Sequence, residues 1–272
     1  MPEPSTFGLQ RPAAVAMDMD GTVCGADHVL SPYTVEILNQ LAPVGIAGVI
    51  VTGRNEKVAV ATARQAGLTA PVISCNGAIV TDPTTGERLW LKHMGREEIE
   101  NALRVSRECG VSVSLWTPDA WYIEEENPAT DLLTILLEQP PTIRSVDEVG
   151  ATQPVVKVMI GGSSSQQLDE VADVLEARIP GMRRSMPLFY EAAPKYATKA
   201  EAMQFVLGVL GVSAESVWGF GDGENDLGWL AQMGRVLVPI NGRERVKAIA
   251  DELIGHHAED GVARYIADHV LG

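Results

Sequence analysis

The chain has 272 residues and a net charge of −15, with apolar and charged fractions of 46% and 21%, which are ordinary for a globular protein. No basic block offsets that charge, so nucleic acid and anionic membrane are not expected partners, and an anionic substrate would need a local cation. Three scattered cysteines, Cys24, Cys75 and Cys109, argue against disulfides or zinc; with no leader-like start and no membrane-length apolar run, the expected location is the cytoplasm.

Ala13 to Met17 reads as a buried strand. It runs into Asp18-Met-Asp20-Gly21-Thr22, which sets two acids two residues apart at the strand's end. Side chains two apart on extended chain point the same way, so both acids can face a pocket beyond the strand, where open α/β sheets bind ligands. Such a pair repels. It invites a cation, a shared proton or a division of labour between nucleophile and acid, although the same run also suits a simple turn. Ser31 caps a helix that starts at Pro32 and is expected to reach about Ala42. Gly45 to Val51 is a second buried strand. It leads into Thr52-Gly53-Arg54, where a hydroxyl and free N–H groups suit either an anion or a helix cap. A helix over Glu56 to Ala66 ends at Gly67, and Val72 to Ser74 opens a third strand. The alternation predicts a parallel sheet with right-handed crossovers.

The middle reads differently. Asp82-Pro-Thr-Thr-Gly86 is a hairpin turn. A helix over Arg96 to Cys109 stops at Gly110. Val111 to Leu115 and Trp121 to Glu124 look antiparallel, Gln153 to Ile160 is another strand, and Gln166 to Arg178 a helix. This predicts an α+β domain inserted at 90–188, with the core formed by 1–89 and 189–272.

After Thr198 the alternation returns. Helices are expected over Lys199 to Leu210, Leu227 to Met233, Arg243 to Ala250 and Asp260 to His269, and strands over Ser216 to Phe220 and Arg235 to Val238. Lys199 stands in a first helical turn, which the helix dipole disfavours unless an anion is near; a solvated surface lysine is the plainer alternative. Gly221-Asp222-Gly-Glu224-Asn225-Asp226 follows a strand and suits magnesium as a hard-oxygen site, or an acidic turn. Adjacent His256 and His257 read as a polar loop.

Taken in order, Asp-x-Asp-Gly-Thr, Thr-Gly-Arg, Lys and Gly-Asp-Gly-Glu-Asn-Asp resemble the haloacid dehalogenase-like superfamily, and most of all its Cof-type hydrolases with a large inserted cap. Ile73-Ser-Cys-Asn-Gly-Ala78 and Asn241-Gly-Arg-Glu-Arg-Val-Lys fit the same likeness. The resemblance implies a Rossmann-like parallel-sheet core with an α+β cap that sets specificity. It implies that Asp18 is the nucleophile, forming an aspartyl-phosphate, and that Asp20 is the acid and then the base. Thr52 and Lys199 would hold the phosphoryl oxygens. Gly53, Asn76 and Asn225 would line the substrate and phosphate pocket. Magnesium would be bound by Asp18, the main-chain carbonyl of Asp20 and Asp222, and Asp226 would belong to the same metal site, orienting its shell. The likeness departs at Ala200, where glycine is common, and Lys195 competes with Lys199 for the lysine's role. The expected activity is a magnesium-dependent phosphatase acting on a small phosphate ester such as a sugar or polyol phosphate. A phosphomutase and a non-catalytic sugar-phosphate sensor are the alternatives, and the oligomeric state is left open.

Overall fold

A computed structural model describes residues 11–137 and 139–272. The expectation about a leader rests on residues that lie outside these. The chain divides into two compact units. One comprises the residues up to Trp90 together with Thr198–Gly272, the other Leu91–Ala197.

The first unit opens with β1 (Ala14–Met17), whose four residues are all buried. Their side chains alternate, so Val15 and Met17 enter the apolar layer on one face of the sheet and Ala14 and Ala16 the layer on the other. Helix α1 (Pro32–Leu38) begins where expected, with the Ser31 hydroxyl accepting from the Thr34 N–H at 3.0 Å. It ends four residues short of Ala42. Pro43 has no N–H and disfavours helix in the residue before it, so a short 3₁₀ turn over Ala42–Val44 closes the segment. Strand β2 (Ala47–Ile50) and helix α2 (Glu56–Gln65) follow, the latter capped by Asn55.

The third strand, β3 (Val72–Ser74), corrects the expectation of a simple parallel strand. Among the described residues, a single parallel bridge, Val51 to Ile73, ties it to the chain just beyond β2. It then pairs antiparallel with β4 (Ile79–Thr81), which leads to β5 (Arg88–Leu91) in a separate three-stranded sheet.

The inserted unit runs α3 (Arg96–Cys109), β6 (Ser112–Trp116), β7 (Trp121–Ile123), α4 (Pro128–Leu137), β8 (Thr142–Ile143), α5 (Val146–Thr152), β9 (Lys157–Gly161), α6 (Ser165–Arg178), β10 (Arg183–Met186) and β11 (Phe189–Ala192). Its six strands lie in the order β10-β11-β9-β6-β7-β8. The expected boundary at 188/189 is displaced. Phe189–Ala192 pairs antiparallel with β9, register Phe189 to Gly161 and Ala192 to Val158, so its hydrogen bonds belong to this sheet. The chain leaves the unit only after Ala197.

Back in the first unit come α7 (Lys199–Leu210), β12 (Val217–Phe220), α8 (Leu227–Leu230), β13 (Arg235–Pro239), α9 (Glu244–Lys247), β14 (Glu252–Ile254) and α10 (Gly261–Ile266). Helices α8, α9 and α10 are shorter than expected, and β14 was not expected at all. The main sheet is parallel, in the order β14-β13-β12-β1-β2. Strand β1 is interior, between β2 and β12. The chain moves from it to β2 on one side, whereas β12, β13 and β14 build outward on the other. That makes the carboxyl end of β1 a topological switch point, where sheets of this kind place ligands.

Candidate active site

Each segment singled out in the sequence emerges at this end of the sheet. Asp18 follows β1 and donates its backbone N–H to the Phe220 carbonyl at 2.9 Å, which sets it beside the end of β12. Asp222 lies two residues beyond Phe220. Thr52 follows the end of β2, and its N–H donates to the Ile73 carbonyl at 2.9 Å.

Lys199 completes the centre. It is the first residue of α7, capped by Thr198, yet only 3% exposed. Its Nζ donates to Asp18 Oδ1 at 2.6 Å and to Asp226 Oδ1 at 2.8 Å. The competitor Lys195 is exposed in the inserted unit, over the ring of Tyr196. Asp226 is fully buried and accepts four protein donors. Lys199 and Trp229 Nε1 reach Oδ1, and the N–H groups of Asp222 and Gly223 reach Oδ2. It thereby fixes both the lysine and the loop carrying Asp222. Asp18 and Asp222 are less committed. Among the described residues, Asp18 spends Oδ1 on Lys199, and Asp222 spends Oδ1 on the Thr22 hydroxyl at 3.0 Å.

Oxygens of Asp18, Asp222 and Asp226 lie within 4.8 Å of one another. Three carboxylates face one ammonium, and the electrostatics record the imbalance. Burial, reinforced by the Asp226 charge, pushes the Asp18 carboxyl up to about 8 in spite of Lys199. Burial likewise raises Asp222. For Lys199, burial works against the charge, but the two facing acids outweigh it and hold the ammonium above its ordinary range. A hard divalent cation among these oxygens would relieve the repulsion, and the all-oxygen donor set suits magnesium. Gly21 permits the close approach. Its φ is +78°, and a Cβ there would fall 2.4 Å from Asp222 Oδ2.

Asp20 points to a different set of partners. Arg54 grips it with Nε on Oδ2 at 2.8 Å and Nη2 on Oδ1 at 2.5 Å, and His28 Nδ1 sits 2.7 Å from Oδ1. Partial burial raises the carboxyl, but these bonds more than offset it and hold it below the ordinary range. The Thr52 hydroxyl is buried and accepts the Arg54 N–H at 3.1 Å. Asn225 Nδ2 donates to Asn76 Oδ1 at 3.1 Å, and a Cβ on Gly53 would meet that same Oδ1 at 3.0 Å. Gly53, Asn76 and Asn225 are therefore neighbours.

Sequence reasoning missed several members. Arg54 stood inside the Thr-Gly-Arg motif, a cation at a strand end of an acidic chain, which was a usable signal. Thr22 closed the Asp-x-Asp-Gly-Thr motif without a role of its own, and His28 and Trp229 carried no signal. Asn241 takes a positioning part, donating to the Gly21 carbonyl at 2.7 Å and accepting from the His257 N–H at 3.1 Å. His257 donates through Nδ1 to the Cys24 carbonyl at 2.9 Å. Burial pushes the Cys24 thiol up to about 12, which leaves it inert beside the site.

A family model described as haloacid dehalogenase-like hydrolase matches residues 15–266. The chain belongs to this family. An HMP-PP phosphatase of Yersinia pseudotuberculosis is 28% identical over 256 residues, which cover 92% of this chain and 93% of that protein. A haloacid dehalogenase-like hydrolase from Bacteroides thetaiotaomicron superposes with a TM-score of 0.81 at 25% identity, covering 94% of this chain and 98% of the other. A Thermotoga maritima structure superposes with a TM-score of 0.85 at 21% identity, covering 95% and 97%, and speaks for the fold alone. No described helix is long and apolar enough to cross a membrane.

Proposed function

We propose that this hydrolase is a magnesium-dependent phosphatase that cleaves a small phosphomonoester through an aspartyl-phosphate on Asp18. The observation that carries the reading is the buried Asp18 carboxylate, with Lys199 at 2.6 Å and Asp222 and Asp226 within 4.8 Å, at the sheet's switch point. A carboxylate nucleophile and a phosphate repel each other. Lys199 offsets part of that charge where phosphoryl transfer redistributes it. Asp18, Asp222 and the main-chain carbonyl of Asp20 would hold the magnesium ion, and Asp226 would lock their loop. When bound, the ion neutralises phosphoryl charge and frees Asp18 of its proton.

In the first step Asp18 attacks phosphorus, and the bond to the ester oxygen breaks as Asp20 gives that oxygen a proton. In the second, water attacks the phosphorus and loses a proton to Asp20; phosphate departs and Asp18 is restored. Thr52 and Lys199 bind phosphoryl oxygens, and Gly53, Asn76 and Asn225 line the pocket. Arg54 occupies both oxygens of Asp20, so proton donation requires that grip to loosen as the anionic substrate competes for the guanidinium. The inserted unit serves as the cap that sets specificity. A sugar or polyol phosphate is the first substrate class to test, with HMP-PP, on which the relative from Yersinia pseudotuberculosis is named to act, beside it.

The test is phosphate release from a panel of phosphate esters with magnesium. Turnover should vanish on chelation and in Asp18→Asn. Turnover that persists in that variant ends the proposal.

A further inference from the structure

Two residues hold Asp20, and one of them has no part in the steps above. His28 lies in a tight loop after the Asp-x-Asp run. Its backbone is left-handed, with φ +64°, at a residue that is not glycine. Strained conformations of this kind persist where the surroundings over-determine them, and they concentrate at functional sites. The surroundings here are specific. The His28 N–H donates to the Gly25 carbonyl at 3.0 Å, and the Gly25 N–H donates to the Val29 carbonyl at 2.9 Å, which closes the loop on itself. Arg54 Nη2 donates to the His28 carbonyl at 2.8 Å while also reaching Asp20 Oδ1. His28 Nδ1 returns to that same Oδ1 at 2.7 Å. Arg54, Asp20 and His28 thus form a closed ring drawn from three segments of the chain.

The two grips differ in kind. Arg54 engages both carboxylate oxygens, leaving no oxygen for a transferable proton. His28 engages Oδ1 alone. Once the guanidinium turns to the substrate's anionic group, His28 still fixes the carboxyl plane and leaves Oδ2 free.

We propose that His28 is a positioning residue for the acid–base step, holding Asp20 Oδ1 so that Oδ2 faces the ester oxygen. Oδ2 then delivers its proton to that oxygen while the oxygen–phosphorus bond breaks, and the bonding pair leaves with the alcohol. This deepens the phosphatase reading and rests on it.

The experiment compares kcat/KM for an alkyl phosphate and for p-nitrophenyl phosphate, using the full chain with magnesium. An alkoxide needs the proton, whereas a nitrophenolate departs without one. His28→Gly removes the imidazole and relieves the left-handed backbone, so the melting temperature should hold. In that variant kcat/KM for the alkyl phosphate should fall by roughly three- to tenfold, a fraction of the ~10²–10⁴-fold that general acid–base catalysis supplies. The value for p-nitrophenyl phosphate should change by less than about twofold, as expected of a group acting only through the acid. His28→Asn keeps a side-chain donor and tolerates the left-handed backbone, and should recover part of the loss. Equal losses on both substrates, or none on either, overturn the proposal. Asp20→Asn supplies the reference split between substrates. Wild-type activity with a split in Asp20→Asn but none in His28→Gly sinks this inference alone. A wild type that releases no phosphate sinks the phosphatase reading and this inference with it.

Discussion

Replacing Asp18 with asparagine should change how the metal-free protein's stability responds to pH. In the fold, burial lifts the Asp18 carboxyl to about 8, against an ordinary value of 3.8. Between those values the folded protein keeps a proton that the unfolded chain has released. The stability contributed by this group is therefore complete below the unfolded value and is lost as pH rises through the folded one. The slope is about −1.4 kcal/mol per pH unit. From pH 5.5 to 7.5 that amounts to about 2.7 kcal/mol, lost by the wild type and not by Asp18→Asn, which has no proton to release. Asp222 also titrates high, but it does so in both proteins and drops out of the difference. Urea unfolding in a chelator at three pH values, followed by tryptophan fluorescence, measures this directly. The variant should gain on the wild type by about 2–3 kcal/mol across that window. A difference that stays flat to within about 0.5 kcal/mol refutes the idea that Asp18 holds a proton when no cation is present.

Other outcomes follow from the same contacts. At pH 7.5, magnesium should raise the wild type's denaturation midpoint and raise that of Asp18→Asn or Asp222→Asn far less, since the ligand stabilises only a fold that binds it; equal gains in all three proteins would contradict the assigned oxygens. Gly21→Ala sets a Cβ 2.4 Å from Asp222 Oδ2 at a φ of +78°. Left-handed backbone alone costs roughly 1–2 kcal/mol, so the melting temperature should fall, and a magnesium titration should need about tenfold more ion if Asp222 moves by enough to lose ~1.4 kcal/mol. Asp226→Asn turns an NH₂ group toward donors that the carboxylate now accepts, either Lys199 and Trp229 or two backbone amides. A loss of about 2–4 kcal/mol in urea unfolding is expected, and an unchanged midpoint would mean that the four donors find other partners.

The parts of the site carried by strand ends were legible because Ala14–Met17 and Val217–Phe220 are short runs with every residue buried, each followed at once by acids and glycine. Lys199 was legible only through the order of motifs. By itself a lysine in a first helical turn reads as a surface charge; what buries it are two acids, 181 and 27 residues away. Asp20 and Arg54 each stood in a motif, but the closure of their ring through His28 left no pattern, because it depends on loop backbone and on one left-handed residue. Strand β14 escaped for a related reason. Of Glu252–Ile254 only Ile254 is buried, so an edge strand of three residues carries no alternation to read. Helix α1 was overextended because its apolar spacing continues past Leu38, while Pro43 decides where it stops.

The turn at Gly77 has a consequence for how such enzymes diversify. Its carbonyl accepts the Trp90 indole N–H at 3.2 Å, at the last residue before the insertion. Its missing Cβ would sit 2.2 Å from the Thr198 carbonyl, at the first residue after it. Departure and return are stitched to one glycine, and the helix that begins at the buried lysine takes its register from that stitch. Evolution can thus rewrite, lengthen or delete the intervening stretch while the reactive centre stays in alignment, which decouples invention of new selectivities from upkeep of the chemistry.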